Sequence, residues 1–231
     1  MSALLKILPT SLLCLFCGGV LEVGAADVAE KKVVVVADDF AAAKLGPAWR
    51  ITHQTFVIVD GVLKGSQTKP THGAVAQVNV GAANVGVEFK FQFQTATSIN
   101  AVLDDDDYKE GHGGHICRVA LRPNQIFLGD DKERLRQTIE VMRKDPAKKA
   151  EADALVAGRS LSIPTTLKPD QWYRLRMQVV GDELSVSLDD RPLGTLKSSG
   201  IAHPMKTTFH FTVSGGDALF DDVRVWKIES R

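Results

Sequence analysis

Apolar and polar residues alternate through much of the chain beyond residue 30. Val87, Phe89, Phe91 and Phe93 alternate with Glu88, Lys90 and Gln92, and Tyr173, Leu175, Met177 and Val179 with Arg174, Arg176 and Gln178. Phe209, Phe211 and Val213 alternate with His210 and Thr212. Side chains two apart share one face of an extended chain, so each run predicts a β-strand with one face in a core and one in water. Residues 32–36, 49–52, 56–59, 62–64, 73–80, 98–103, 160–163, 184–188 and 218–228 predict further strands, with 98–103 pairing to 85–93. Asp60-Gly61 suits a type I′ turn, and Gly181-Asp182 and Asp189 to Pro192 predict two more reversals. Many short strands separated by turns at regular intervals predict an all-β, antiparallel sandwich in one domain.

The stretch 102–131, VLDDDDYKEGHGGHICRVALRPNQIFLGDD, departs from this regularity. An acidic run leads into a Gly/His-rich turn and then into two more strand-like runs. Alternation puts Cys117, Val119 and Leu121 on one face and Arg118 on the other. An arginine held on a rigid strand beside histidines and carboxylates suits an anion or a sugar. After Asp130 the period changes: Leu135, Ile139 and Met142 fall at helical spacing among charges. This predicts a solvent-exposed helical insertion at about 131–157, divided at Pro146.

Composition narrows the partners. With 28 Lys+Arg and 28 Asp+Glu the formal net charge is zero, so no global field draws the chain to nucleic acid or to an anionic membrane. Residues 1–25 carry a lysine, an apolar run from Leu8 to Val20 and small residues at Val23-Gly24-Ala25, the pattern of a secretory signal peptide cleaved after Ala25. The run is shorter than the roughly 20 residues a spanning helix needs. The expectation is a secreted, periplasmic or cell-envelope domain at 26–231 with no membrane span once the signal is removed. Two of the 3 cysteines fall in that signal; Cys117 remains as a core residue, and no internal disulfide is expected. Trp49, Trp172 and Trp226 sit in strand settings and are core candidates before sugar platforms.

Several segments together resemble a known family. Ala37-Asp38-Asp39-Phe40, Trp49 followed by Asp60-Gly61-Val62-Leu63, the hairpin WYRLRMQVVGDELSVSLDD at 172–190 and FDDVRVW at 220–226 are similar to the bacterial 3-keto-disaccharide hydrolase domain, over nearly all of 26–231. The resemblance implies a jelly roll of the concanavalin A-like lectin/glucanase type, with a ligand groove on a curved sheet and action on oxidised or ordinary sugars. Segments of the form HG, HICR and HP-x-K correspond here to His72-Gly73, His115 to Arg118 and His203 to Lys206. That correspondence selects His72, His115, Arg118, His203 and Lys206 as a site.

A retaining glycosidase of this fold carries its nucleophile and acid as Glu-x-Asp-x-(x)-Glu on one strand, about 5 to 5.5 Å apart, and no such run occurs here. If His72, His115 and His203 converge with Arg118 and an Asp near residue 104, a general base and an electrophilic clamp become available for removing a proton beside a sugar ketone. His115, Arg118, His72 and Asp104 are the catalytic candidates, and Lys206, His203, Asn100, Glu88 and His210 are the candidate substrate contacts. The run Asp104 to Asp107 reads first as a solvated loop; its other reading is a divalent-cation site built from Asp104, Asp106 and Glu110. His112 and His115, separated by two glycines, make no metal signature alone. The expected partner is carbohydrate. One reading is an exported hydrolase or lyase that cleaves 3-keto-sugars or related glycosides; the other is a non-catalytic, lectin-like binding module or envelope scaffold.

Overall fold

The computed structural model describes residues 31–229, and the expected signal peptide lies outside them. The strands in chain order are β1 (Lys31–Asp38), β2 (Arg50–His53), β3 (Thr55–Val59), β4 (Val62–Ser66), β5 (Ala74–Ala82), β6 (Val85–Phe93), β7 (Ser98–Asp104), β8 (His115–Arg122) and β9 (Gln125–Asp130). After three short helices follow β10 (Ser160–Pro164), β11 (Trp172–Val180), β12 (Glu183–Leu188), β13 (Arg191–Lys197), β14 (Lys206–Ser214) and β15 (Asp217–Glu229). One sheet runs β13-β12-β11-β6-β15-β4-β3, with β1 also on β15; the other runs β10-β9-β8-β7-β14-β5-β2. All pairings are antiparallel.

The alternating runs pack face to face as expected. Phe211 of β14 meets Phe89 of β6 edge-on at 4.8 Å and stacks on Phe220 of β15 at 4.3 Å, so the two sheets are joined through central aromatic contacts. Phe89, Phe91, Phe93, Phe209, Phe211 and Phe220 are all buried. Truncating one such ring costs about 3–5 kcal/mol. Asp60 and Gly61 sit at φ 51° and 75°, and Asp189 and Asp190 at φ 48° and 63°. Both pairs therefore make the positive-φ two-residue reversals that match strand twist.

Three expectations are corrected. The 98–103 strand does not pair with 85–93: β7 lies between β8 and β14 in the opposite sheet, because the chain crosses between sheets at 94–97. Local alternation assigns faces but is silent on which edge a strand joins. Trp172 is 38% exposed rather than in the core. Trp226 is buried as expected, but on the outer face over Gly86 rather than between the sheets; any side chain at Gly86 would collide with the indole, and Lys32 sits above it at 5.5 Å.

The insertion forms α1 (Asp131–Arg134), α2 (Gln137–Lys144) and α3 (Lys149–Leu155). Asp130 caps α1 by accepting from the Glu133 N–H at 3.1 Å, and α2 stops just before Asp145-Pro146, where proline cannot continue it. These helices rest against the loop 105–114: the His112 N–H reaches the Leu135 carbonyl at 3.2 Å, and the Gln137 N–H reaches the Glu110 carbonyl at 2.9 Å. Among the described residues no helix is long and apolar enough to cross a membrane.

Candidate active site

The outer face of the β10-to-β2 sheet carries a hollow of about 420 Å³, walled by side chains of β2, β5, β14, β7 and β8. Five of the 6 histidines line it: His53, His72, His112, His115 and His210. Regular alternation delivers part of the wall, with Asn100, Val102 and Asp104 on β7 and His210, Thr212 and Ser214 on β14. Two β-bulges deliver the rest. Between β7 and β8 the register runs Leu103↔Cys117 and then Asp104↔His115, so Ile116 is an extra residue. In a regular strand His115 would share the core-facing side of Cys117; the bulge turns it to the side of Arg118. Thr52 is the extra residue in the same way on β2, where Ile51↔Ala76 is followed by His53↔Val75, and it brings His53 to the rim.

Asp104 is the centre of the hollow. Its Oδ1 lies 2.6 Å from His115 Nδ1 and its Oδ2 lies 2.9 Å from His210 Nε2. Burial pushes this carboxyl up, but the hydrogen bonds from the two rings outweigh that effect and hold it at about 2. With Asp104 ionised, His115 donates through Nδ1 and His210 through Nε2, and the Thr212 hydroxyl sits 3.2 Å from His210 Nδ1. His115 Nε2 has no hydrogen-bond partner among the described residues and faces the hollow below the bare Gly113. Donor atoms of Asp104, His115 and His210 all lie within 4.8 Å of one another, so this trio could hold a metal ion.

Of the other catalytic candidates, His72 and Arg118 line the same hollow. His72 stacks on His53 with ring centroids 4.2 Å apart, and Arg118 is steadied by the buried carboxylate of Asp131, which also takes Arg134 at 3.0 Å. The candidate substrate contacts divide. Asn100 and His210 are in the wall, whereas Glu88 lies on the opposite sheet, paired with Arg176 at 2.5 Å. His203 is outside the hollow and binds Asp105 at 2.7 Å. Lys206 is buried and its ammonium donates to the carbonyls of Ala83, Ile201 and His203 at 2.6, 2.8 and 2.9 Å, so it has no donor left for a ligand. The acidic run is not one solvated loop: Asp104 and Asp105 are buried, Asp106 and Glu110 are exposed, and neither of the last two reaches the hollow. The cation group that the structure assembles thus shares only Asp104 with the expected one. Two wall histidines escaped the sequence reading. His53 has no periodic signal because a bulge places it, and His112 stands among flexible glycines that give it no periodic face.

No protein-family model and no curated protein matches the chain. Solved structures do. The chain is similar to SCLam, a non-specific endo-beta-1,3(4)-glucanase from family GH16, with a TM-score of 0.57 and 10% identity over 87% of this chain and 92% of that one. It has the concanavalin A-like jelly-roll fold. The carbohydrate binding module CBM66 from Bacillus subtilis is similar at a TM-score of 0.51 and 15% identity, over 79% of this chain and 96% of the module. A sialidase is similar at a TM-score of 0.59 and 10% identity; the match covers 82% of this chain but 18% of the sialidase.

On this jelly roll the outer-face hollow holds one carboxylate, Asp104, among the described residues. A two-carboxylate mechanism needs a second at roughly 5 to 10 Å, which the wall does not supply. What the arrangement offers is a histidine whose tautomer is set by an anchored carboxylate and whose other nitrogen is open. The Arg118 guanidinium stands on the same strand.

Proposed function

We infer that this protein is an exported, carbohydrate-active enzyme that cleaves 3-keto-glycosides by elimination followed by hydration. The observation that carries this reading is the Asp104–His115 pair at 2.6 Å, which leaves His115 Nε2 open in a hollow shared with Arg118. The likeness of the chain's motifs to the 3-keto-disaccharide hydrolase domain supports the substrate class, and the apolar run Leu8 to Val20 supports export.

His115 removes the proton from C2, next to the C3 ketone, and the C–H electron pair moves into an enolate whose negative oxygen is matched by the Arg118 guanidinium. Asp104 keeps the ring oriented and stabilises the imidazolium that forms. The enolate then collapses, the C1–O bond breaks and the departing oxygen takes a proton back from the imidazolium. Water adding across the resulting double bond restores the 3-keto sugar, so the net reaction is hydrolysis. A divalent cation held by Asp104, His115 and His210 would supply Lewis-acid stabilisation of the developing charge in place of the Asp104–His115 hydrogen bond, and His115 would then be a ligand rather than the base.

The test is release of p-nitrophenol from p-nitrophenyl 3-keto-β-glucoside by the purified protein, with and without prior chelation. Turnover that needs the ketone and vanishes in His115→Ala supports the mechanism; an unchanged substrate pool across several 3-keto-glycosides rules it out. A second reading, a lectin-like module, draws on the similarity to CBM66. Glycan binding without turnover, surviving loss of both His115 and Arg118, would favour it.

A further inference from the structure

The hollow does not end at Arg118. A second depression of about 330 Å³ adjoins it over β8 and β9, and Asn100 and Arg118 line both. Its chemistry differs, because its charged lining is Arg118, Arg122 and Arg134, next to Phe127. Arg118 and Arg122 are four residues apart on one face of β8, about 13 Å at roughly 3.3 Å per residue. Arg134 reaches over from α1 and covers the Phe127 ring, its guanidinium carbon 4.8 Å from the centroid.

Asp131 is the counter-ion of this patch and is insufficient for it. One of its oxygens takes Arg118 Nε and the other takes Arg134 Nη1, so a single carboxylate is shared between two guanidiniums. Arg122 is exposed and has no carboxylate within ion-pair reach among the described residues. Three cations thus face one anion. Arg118 is gripped through Nε, and its two Nη groups form no hydrogen bond among the described residues, which leaves the planar fork pre-oriented for a carboxylate or sulfate oxygen pair. The net charge of the chain is zero, so this excess is local and is continuous with the histidine hollow.

We propose that the arginine depression is a second subsite that binds an anionic substituent, carboxylate or sulfate, on a saccharide whose neighbouring unit occupies the histidine hollow. This rests on the carbohydrate reading above and adds the substrate class to it: acidic oligosaccharides. The shared wall, Asn100 and Arg118, argues for a ligand that spans both depressions rather than a free anion. Because Arg134 covers Phe127, no open aromatic face is offered to a nucleic-acid base, which favours a sugar over a single-stranded nucleic acid.

The test is calorimetric binding of cellotetraose, its C6-oxidised uronate form and its 6-O-sulfated form to the purified protein. The anionic forms bind about fivefold tighter than the neutral one, the scale of one or two partly exposed ion pairs, and the preference shrinks as salt is raised. The uronate and sulfate arms show which substituent is preferred. Arg122→Gln, at an exposed position that leaves the fold undisturbed, reduces that preference to twofold or less, checked against an unchanged circular dichroism spectrum. Equal binding of all three tetrasaccharides, no binding of any, or equal competition by inorganic sulfate or by a (dT)10 oligonucleotide overturns the proposal. Release of p-nitrophenol from the neutral 3-keto-glucoside is read separately. Anion preference without turnover leaves the subsite standing and sinks the catalytic reading, and turnover without preference does the converse.

Discussion

Asp104 and Asp105 are neighbours in the chain, both are buried, and each is bound by histidine, yet they serve different ends. Asp104 closes β7 facing the hollow, where it anchors His115 and His210. Asp105 starts the following loop and points the other way, into a clasp: its Oδ2 binds His203 at 2.7 Å, its N–H reaches the Gly114 carbonyl at 2.9 Å and its carbonyl accepts from the Tyr108 N–H at 3.0 Å. Next to this clasp Lys206 gathers three carbonyls, one of them that of His203. The lesson is that a histidine–aspartate contact becomes chemistry only where a ring nitrogen stays open to a ligand. His115 has such a nitrogen; His203 Nδ1 is buried, without a hydrogen-bond partner among the described residues.

The sharpest way to break this contrast is to remove the open ring. His115→Ala lowers release of p-nitrophenol from p-nitrophenyl 3-keto-β-glucoside by about 10²–10⁴-fold, the contribution of a positioned general base, while stability in urea falls by about 1 kcal/mol because Asp104 keeps only the His210 ring. A drop below tenfold would mean that His115 is not the base. On the clasp side, Lys206→Met strips three carbonyls of their donor, that of Ile201 fully buried, and costs about 3 kcal/mol in urea unfolding. If stability is unchanged, the ammonium is not holding that corner.

A third measurement tests Asp104 by pH. The Asp104 carboxyl lies at about 2 in the fold, against an ordinary value of 3.8, so the fold favours its ionised form. The associated stability, about 2 kcal/mol, is fully present above pH 4 and is lost as pH falls towards 2. Asp104→Asn flattens that part of the stability-against-pH curve; a curve of unchanged slope there would remove the role given to the two rings. The smaller effects come last. His203→Ala costs about 1 kcal/mol of stability and leaves saccharide affinity where it was, which the same urea and calorimetric runs report. Arg176→Gln, opposite Glu88 on the far sheet, changes stability by less than about 1 kcal/mol, as expected of a partly exposed pair.

Most of the fold was legible because strand alternation is local. The runs around Phe89, Leu175 and Phe211 declare their faces without reference to anything distant, and Asp60-Gly61 declares its turn. Pairing of β7 was not legible, since choosing between β6 and β14 depends on where the chain changes sheets. The site was half legible. Asp104, Arg118, Asn100, His72 and His210 could be nominated from residue type, motif and alternation, but a strict period of two puts His115 with Cys117, and only the bulge at Ile116 separates them. Lys206 shows the opposite limit: a lysine reads as a solvent-facing contact unless one knows that three carbonyls converge on it. Cys117 behaved as its alternation implied, buried in the core with its thiol pushed up to about 12, first by burial.

The extra residue at Ile116 makes chain length a determinant of reactivity here, alongside residue identity. Drawing all of 115–117 into an unbroken ladder would swing the imidazole of His115 towards the sandwich interior, whereas a chain lacking Ile116 would run straight and still present that imidazole to a ligand. Comparisons of related chains at this point therefore need to count positions before they compare letters.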